Sequence, residues 1–256
     1  MHILLSNDDG ISAPGLRAVY KYLTKLGKVT VVAPSQVQSG ASHSITLEPL
    51  TCYKVTIEDE FTGYAVDGAP ADCVKLGLME LIDIEKEPID LVVSGMNYGA
   101  NAGIYVHYSG TVAAAREAAF YGIPAIALSA TRTDDMDFDA AAEHCYNVIK
   151  KLMPLRKGDL ISVNIPVLSE NNPKGVKVLA NSTNCYEEDF IYGTSDDGHK
   201  TFQYLGGPHT DQPDVAADTI ALHEGYITVT ALHFEITDYK RNRELETIDF
   251  EIPKTR

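Results

Sequence analysis

Short runs of β-branched and aliphatic residues alternate with longer stretches of helical periodicity through the first two thirds of the chain. This alternation is typical of βαβ units, whose strands run parallel in a single sheet. Several runs are continuously apolar, as expected of strands buried on both faces. The predicted strands cover residues 3–6, 29–33, 91–94, 125–129 and 161–165, and the predicted helices cover residues 14–26, 70–81, 111–121 and 138–152. The sequence therefore predicts an α/β fold with a mostly parallel sheet flanked by helices.

Two regions depart from this alternation. Residues 39–68 contain the β-like runs SITL, YKVTI and GYAV, which predict a β-hairpin insertion. After Pro166 the chain is rich in Asn, Gly and Asp with isolated aromatic residues, and it predicts an extension rather than more sheet core, with a helix at 215–222 and a strand at 227–231. We therefore divide one domain into a core at 1–180 and an extension at 181–256. The alternating tail LETIDFEI can bury little surface by itself, so we expect it to pack on another subunit.

The formal net charge of the chain is -15 at pH 7. Such a surface repels polyanions, so we expect no binding of nucleic-acid polymers. A small phosphorylated substrate would need a bound cation or a group of N–H donors at its site. The four cysteines form no close pair, the N-terminal apolar run is too short for a signal peptide, and no run is long enough to span a membrane. We expect a cytoplasmic protein without membrane contact.

Asp8 and Asp9 lie in the segment SNDDG, between the first predicted strand and the first predicted helix. Ligands of open parallel sheets bind at the carboxyl ends of the strands, where this segment lies. Because adjacent carboxylates repel each other, a fold that holds them together usually supplies a cation. The alternative is a solvated turn with an aspartate as helix N-cap.

Two further polar loops follow predicted strands at the same edge. One offers Ser39, Gly40 and His43, and the other offers Asn97 and Asn101 among glycines. Three such loops at one edge favour a ligand site over three unrelated turns. The implied ligand atoms are all oxygens, which suits one hard divalent cation per subunit, Mg²⁺, Mn²⁺ or Ca²⁺, better than zinc.

Ser109, Gly110 and Thr111 stand at the start of a predicted helix, where free N–H groups and the helix dipole favour an anion. Plain N-capping is the alternative for this segment, and a phosphate pocket is favoured once a cation lies beside it. His43 and His107 flank the site and are candidates for a supporting role. The absence of GxxxxGK[ST], GxGxxG after the first strand and GxSxG argues against a P-loop NTPase, a nicotinamide dehydrogenase and a serine hydrolase.

The motifs together resemble the SurE family, the survival-protein E nucleotidases. The resemblance rests on ILLSNDDG at 3–10, QSGASHSIT at 38–46, VDGAPADCVKLGL at 66–78, SGMNYGAN at 94–101, YSGTVAAAREA at 108–118, VNIP at 163–166 and GYITVTAL at 225–232. It implies a Rossmann-like core with a divalent cation and nucleotidase activity on 5'- and 3'-nucleoside monophosphates. It also implies a homodimer or homotetramer joined by a C-terminal swapped arm.

The resemblance also implies roles for individual residues. The metal ligands of the family correspond to Asp8, Asp9, Ser39 and Asn97, and its phosphate pocket corresponds to Ser109, Gly110 and Thr111, with Gly40 and Asn101 nearby. This chain has Ala69 where the family usually has Thr, and Ala231 where it usually has Pro. Both departures lie outside the ligand set and bear on loop geometry and base preference.

The hypothesis is hydrolysis of a phosphomonoester in which a cation polarises the phosphoryl group and Asp8 or Asp9 activates water. Direct attack by Asp8 is an alternative route. Two other functional classes stay open, a Ca²⁺-dependent nucleoside hydrolase and a non-catalytic nucleotide-binding module. The spaced aspartates expected of the first class do not occur near the N-terminus, where only the adjacent pair is present.

Overall fold

A computed structural model describes residues 1–79, 87–183, 186–208 and 217–250. Its main element is a nine-stranded sheet in the order β3-β4-β2-β1-β5-β6-β7-β11-β8. The strands are β1 (His2–Ser6), β2 (Lys28–Pro34), β3 (Cys52–Ile57), β4 (Phe61–Val66), β5 (Leu91–Tyr98), β6 (Ala125–Ala130), β7 (Leu160–Ile165), β8 (Val176–Val178) and β11 (Ile227–Leu232). The hairpin β9 (Tyr186–Thr194) and β10 (Lys200–Pro208) forms a second, antiparallel sheet. The predicted α/β fold with a mostly parallel sheet is confirmed.

The direction of the strands fixes where a ligand can bind. Strands β4, β2, β1, β5, β6 and β7 are all parallel to their neighbours in this order, whereas β3 and β11 pair antiparallel with β4 and β7. The chain proceeds from β1 to β2 on one side and later returns to β5 on the other side of β1. Loops after β1 and β5 therefore separate at this point and leave a crevice at the carboxyl edge of the sheet.

Helices cover both faces of the sheet. They are α1 (Pro14–Leu23), α2 (Pro70–Met79), α3 (Gly110–Phe120), α4 (Phe138–Leu152), α5 (Asp218–His223) and α6 (Tyr239–Leu245). Alternation along β1 sends Ile3 and Leu5 into the core shared with α1 and α4, and Leu4 into the core shared with α2 and α3. All three side chains are at most 1% exposed, so β1 is a central strand that holds the following residues rigidly.

Several expectations from the sequence were wrong. The run SITL forms no strand, whereas YKVTI and GYAV form the predicted hairpin as β3–β4, which joins the main sheet because β4 pairs with β2. The region after Pro166 is not only an extension, since β11 joins the main sheet beside β7. In the alternating tail, α6 ends at residue 245, residues 246–248 form a turn and a bend, and residues 249–250 have no regular secondary structure; its packing on another subunit stays a prediction. The predicted positions 80–81, 215–216 and 251–252 and Cys185 lie outside the described residues.

The second sheet and the tail, which is the part of the chain that follows β11, expose large apolar side chains. Tyr192 and Phe202 of the hairpin are 72% and 57% exposed, and Ile236 and Phe250 of the tail are 92% and 67% exposed. No helix within the described ranges is both long and apolar enough to cross a bilayer. Exposed apolar patches of this kind mark surfaces that other protein can cover.

Candidate active site

A cleft of about 600 Å³ opens at the carboxyl edge of the sheet, where the crevice between β1 and β5 is expected. Seven of the residues predicted from the sequence line it, namely Asp8, Asp9, Ser39, Gly40, Asn97, Asn101 and Ser109. The remaining wall consists of Tyr98, Ala100, Tyr105, Tyr108 and Tyr204. The structure thus brings the three polar loops and the start of α3 to one place.

Asp8 is an almost fully buried carboxylate at the end of β1. Burial raises its pKa to about 6, the nearby Asp9 charge adds to the rise, and a hydrogen bond from the Thr111 hydroxyl opposes it. A Cβ atom at Gly110 would lie 2.8 Å from the Cβ of Asp8 and 3.0 Å from its Oδ2, so only glycine lets α3 approach this closely. Asp8 is therefore held against the first turn of α3 with one oxygen bound by Thr111.

Asp9 is less buried and faces the loop after β5. Its Oδ2 accepts a hydrogen bond from the backbone N–H of Tyr98 at 3.0 Å. Burial nevertheless raises the pKa of this carboxyl above its ordinary value. Because the ionised form is disfavoured at both adjacent carboxyls, a cation between them would offset a cost that the protein itself leaves uncompensated.

The other two predicted metal ligands supply neutral oxygens. Asn97 lines the cleft and its Nδ2 donates to the Gly99 carbonyl at 2.7 Å, so its Oδ1 is the atom that could serve as a ligand. Ser39 lies in the exposed loop after β2, which is attached to the site by a 2.7 Å hydrogen bond from the Gln38 N–H to the Asp8 carbonyl. Within the described ranges no group of three or more His, Cys, Asp or Glu could hold a metal, so a cation would rely on this mixed oxygen set.

That oxygen set fits a hard divalent cation. Two carboxylates, a hydroxyl and an amide carbonyl line a single cleft, and the raised pKa values of Asp8 and Asp9 show that their ionised forms are disfavoured without an opposite charge nearby. Sulfur and imidazole ligands, which zinc and copper prefer, do not line the cleft within the described part of the chain.

The start of α3 combines capping with access to the cleft. Ser109 is the N-cap, and its Oγ accepts the Val112 N–H at 3.0 Å, so the capping interpretation holds for this side chain. Ser109 nevertheless lines the cleft, whereas Gly110 and Thr111 do not. Thr111 is fully buried and its hydroxyl donates to Asp8, so its part in a phosphate pocket stays a prediction that concerns its backbone N–H. Its backbone still lies in the first turn of the helix.

Neither candidate histidine lines the cleft. The His43 Nε2 lies 2.7 Å from Glu117 Oε2, and the Lys75 Nζ lies 3.3 Å from Glu117 Oε1. Burial alone would raise the pKa of Glu117, but the His43 hydrogen bond and the Lys75 charge hold it below its ordinary value. His43 therefore ties the loop of Ser39 to α3. The side chain of His107 is exposed, and its carbonyl accepts a hydrogen bond from the Ser42 hydroxyl at 2.7 Å.

The sequence did not reveal the aromatic wall or the groups behind the cleft. Tyr204 reaches the cleft from the β9–β10 hairpin, which is far along the chain from all the other residues that line the cleft. Asp218 at the start of α5 is fully buried, and its carboxylate accepts the N–H groups of Gly103 at 2.8 Å and Ser182 at 2.9 Å. The sequence gives little sign that Asp218 holds these two backbone N–H groups, because the position lies inside the predicted helix 215–222 and an exposed aspartate in a first helical turn has the same sequence pattern.

Comparisons with known proteins identify the family of this chain. The family model described as "Survival protein SurE" matches residues 3–188. A protein named 5'-nucleotidase SurE from Rhodopirellula baltica is 44% identical over 245 residues, which are 93% of this chain and 94% of the relative. Another of that name, from Desulfitobacterium hafniense, is 43% identical over 257 residues and 99% of each chain.

A solved structure supports the same assignment. The crystal structure of the SurE protein from Aquifex aeolicus superimposes with a TM-score of 0.82 at 35% identity, covering 96% of this chain and 98% of that one. The family match covers all of the residues that line the cleft except Tyr204. This chain belongs to the survival protein SurE family.

Proposed function

We propose that this protein is a divalent-cation-dependent phosphomonoesterase that hydrolyses nucleoside 5'- and 3'-monophosphates to nucleoside and phosphate. The relatives named 5'-nucleotidase SurE support the class of reaction. The observation that carries the proposal is the pair of adjacent carboxylates, Asp8 and Asp9, whose ionised forms are both disfavoured at the wall of one polar cleft. A cation bound beside the pair would compensate the charge of both carboxylates and would also bind the phosphoryl group of the substrate.

Asp8, Asp9, Ser39 and Asn97 would hold the cation. When bound, Mg²⁺, Mn²⁺ or Ca²⁺ would supply positive charge that polarises a phosphoryl oxygen and offsets the charge that develops in the transition state. It would also reverse the local field of a chain whose net charge of -15 repels phosphate.

The residues of the chain bind and orient the phosphoryl group. Ser109 lines the cleft at the N-terminus of α3, an 11-residue helix whose first N–H groups and dipole favour an anion. Asn101 lines the same cleft and would contact a further phosphoryl oxygen. Asp8 or Asp9 would accept a proton from the attacking water, and the ester oxygen leaves on the nucleoside as the new bond from water to phosphorus forms.

The size and lining of the cleft suit a nucleoside. A volume of about 600 Å³ falls in the range of small-molecule sites. Tyr105, Tyr108 and Tyr204 give it flat apolar surfaces on which a base can stack, and their side chains place few fixed polar groups around that base. This lining supports a preference for nucleotides over small aliphatic phosphates without strong selection among bases.

Incubation with 5'-AMP and with 3'-AMP in the presence of Mn²⁺ tests the proposal. We expect inorganic phosphate and adenosine as products, with no free adenine. Free adenine would identify a nucleoside hydrolase, the second candidate class. Nucleotide binding without any product would identify a binding module. Phosphate release and base release, measured in the same reaction by malachite green and by chromatography, distinguish these three outcomes.

We also propose that the protein is a homodimer or homotetramer in which the tail packs on another copy. Ile236 and Phe250 of the tail and Tyr192 of the hairpin are exposed by 92%, 67% and 72%, which is costly unless other protein covers them. Tyr204 of the same hairpin lines the cleft, so assembly would also affect the wall of the site.

Deleting the residues from Phe234 onward should lower the molar mass of the assembly measured by light scattering. The reason is that this deletion removes the exposed apolar side chains of the tail while leaving every strand of the main sheet intact. Replacing Tyr192 with Ser provides a comparison that alters the hairpin alone. A truncated protein with the same number of subunits as the full chain would show that the tail does not hold the assembly together.

A further inference from the structure

The segment from Gly99 to Gly103 crosses the carboxyl edge of the sheet between β5 and a short 3-10 turn, Gly103–His107. Asn101, in the middle of this segment, is only 7% exposed, so its backbone groups need partners other than water. It lies within no strand, and the sheet ladder does not supply them. A side chain from another strand takes this role.

That side chain is Asn164 of β7, which is 1% exposed. Its Oδ1 accepts the backbone N–H of Asn101 at 2.8 Å, and its Nδ2 donates to the backbone carbonyl of Asn101 at 3.3 Å. One amide group thus contacts both backbone groups of one residue, as a neighbouring strand would. Two hydrogen bonds to the same residue fix its orientation as well as its position.

The side chain of Asn101 is held from the same direction. Its Nδ2 donates to the Ser129 hydroxyl at 2.8 Å, and Ser129 is fully buried at the end of β6. β6 and β7 are adjacent parallel strands, with Ser129 opposite Asn164 in the register. Asn101 is therefore attached to one rigid layer of the sheet through three hydrogen bonds, and it presents its remaining surface to the cleft.

We infer that Asn164 is a positioning residue for the phosphate end of the cleft and acts through Asn101. Asn164 does not line the cleft itself. The inference rests on the proposed function, in which Asn101 contacts the phosphoryl group. Groups that bind a transition state must be held within a fraction of an ångström, and misplacement by about 1 Å costs on the order of 100-fold in rate. Replacing Asn164 should therefore impair catalysis without removing any group that touches the substrate.

A double-mutant cycle with Asn164→Ala and Asn101→Ala tests this coupling. We expect each single variant to lower kcat/KM for 5'-AMP by roughly 10- to 100-fold, with the loss mainly in kcat. If Asn164 acts through Asn101, adding Asn164→Ala to Asn101→Ala should cost less than about threefold more. Losses that multiply in the double variant would contradict the inference, as would normal activity of folded Asn164→Ala.

Thr131→Val is the matched control. The Thr131 hydroxyl donates to the Ile165 carbonyl at 3.1 Å, so this variant also removes a side-chain hydrogen bond to the backbone at the same end of the sheet. Neither Thr131 nor Ile165 lines the cleft, and kcat/KM should stay within about twofold of the parent. An equal loss of kcat/KM in Asn164→Ala and Thr131→Val would contradict the inference, because it would show that loosening this edge of the sheet at any point lowers activity.

Asn164→Leu covers the case in which Asn164→Ala does not fold. It fills the volume of the buried asparagine without adding a charge and loses both hydrogen bonds to Asn101, so its loss of kcat/KM should approach that of Asn101→Ala. Hydrogen exchange provides a readout independent of catalysis. The amide proton of Asn101, which loses its acceptor in Asn164→Leu, should exchange at least about tenfold faster in that variant than in Thr131→Val.

The proposed function and the positioning role of Asn164 can fail separately. If the parent releases no phosphate from any nucleotide, the proposed function is wrong. Hydrogen exchange at the Asn101 amide would then still test whether Asn164 holds this residue in place. Unchanged exchange at Asn101 would overturn the inference whatever the activity of the protein.

Discussion

Replacing Asp8 with Asn should lower turnover of 5'-AMP by about 10³-fold or more while making the metal-free protein more stable at pH 7. The two effects have the same origin. Asp8 is 4% exposed, and burial together with the charge of Asp9 raises its pKa from 3.8 to about 6. The ionised carboxylate is thus a cost to the fold that the Thr111 hydrogen bond offsets in part and that a bound cation would offset further.

The pH dependence of this stability follows from the raised pKa. Since the folded state binds the Asp8 proton more tightly than the unfolded state, the stability of the metal-free parent falls as pH rises from about 4 to about 6. Above that window the full cost, up to about 3 kcal/mol, is present, and below it the cost is absent. Asp8→Asn should therefore unfold at higher urea than the parent at pH 7, and this advantage should vanish at pH 4.

Two companion variants make the result specific. Asp9→Asn should lose a similar fraction of turnover with a smaller gain in stability, because Asp9 is less buried. Asp90→Asn is the control, since Asp90 is exposed and accepts the His2 N–H at 2.7 Å at the opposite edge of the sheet. It should leave turnover unchanged. Near-normal turnover in Asp8→Asn would contradict a metal site, and a metal-free Asp8→Asn that melts below the parent would contradict the assigned electrostatic cost.

Removal of divalent cations should abolish activity. Every proposed ligand is an oxygen of Asp8, Asp9, Ser39 or Asn97. Within the described part of the chain, no Lys, Arg or His side chain lines the cleft to take the place of a metal ion. After exhaustive treatment with EDTA we expect phosphate release to fall to background. Mn²⁺ or Mg²⁺ should restore it better than Zn²⁺, because the ligand set lacks sulfur and imidazole. Activity that survives the chelator would contradict this prediction.

The same treatment should change thermal stability. A cation at 100 times its Kd stabilises the folded state by about 2.7 kcal/mol, so Mn²⁺ should raise the Tm of the stripped parent. It should not raise the Tm of Asp8→Asn to the same extent, which separates binding at this site from a general effect of salt. Ca²⁺ serves as a comparison that tests whether binding and activity require the same ion.

Much of the fold and of the site followed from local sequence patterns. Continuous apolar runs identified the central strands, and polar residues directly after them identified Asp8, Asp9 and Asn97, because the ends of parallel strands meet at one edge. The hairpin β3–β4 was recognised as a hairpin, but its pairing with β2 was not, since its sequence is equally compatible with a free insertion.

The rest depends on contacts between distant segments. The hydrogen bond from the Thr111 hydroxyl to Asp8 and the close approach of Gly110 to Asp8 join segments a hundred residues apart in the chain, and no local pattern reveals them. Tyr204 reaches the cleft only because the β9–β10 hairpin folds toward it. In the sequence, Asn164 is simply a polar residue within a buried strand. Its contact with the backbone of Asn101 is visible only in the folded structure.

The proposed function requires a cation held by Asp8 and Asp9. Isothermal titration of the metal-stripped protein with Mn²⁺ measures this directly, without assuming a substrate. For the parent we predict one Mn²⁺ per chain, and for Asp8→Asn, compared at the same protein concentration and with Asp90→Asn as control, an affinity lower by at least about 100-fold. Equal binding of Mn²⁺ by the parent and Asp8→Asn, or no binding by the parent, would contradict the account.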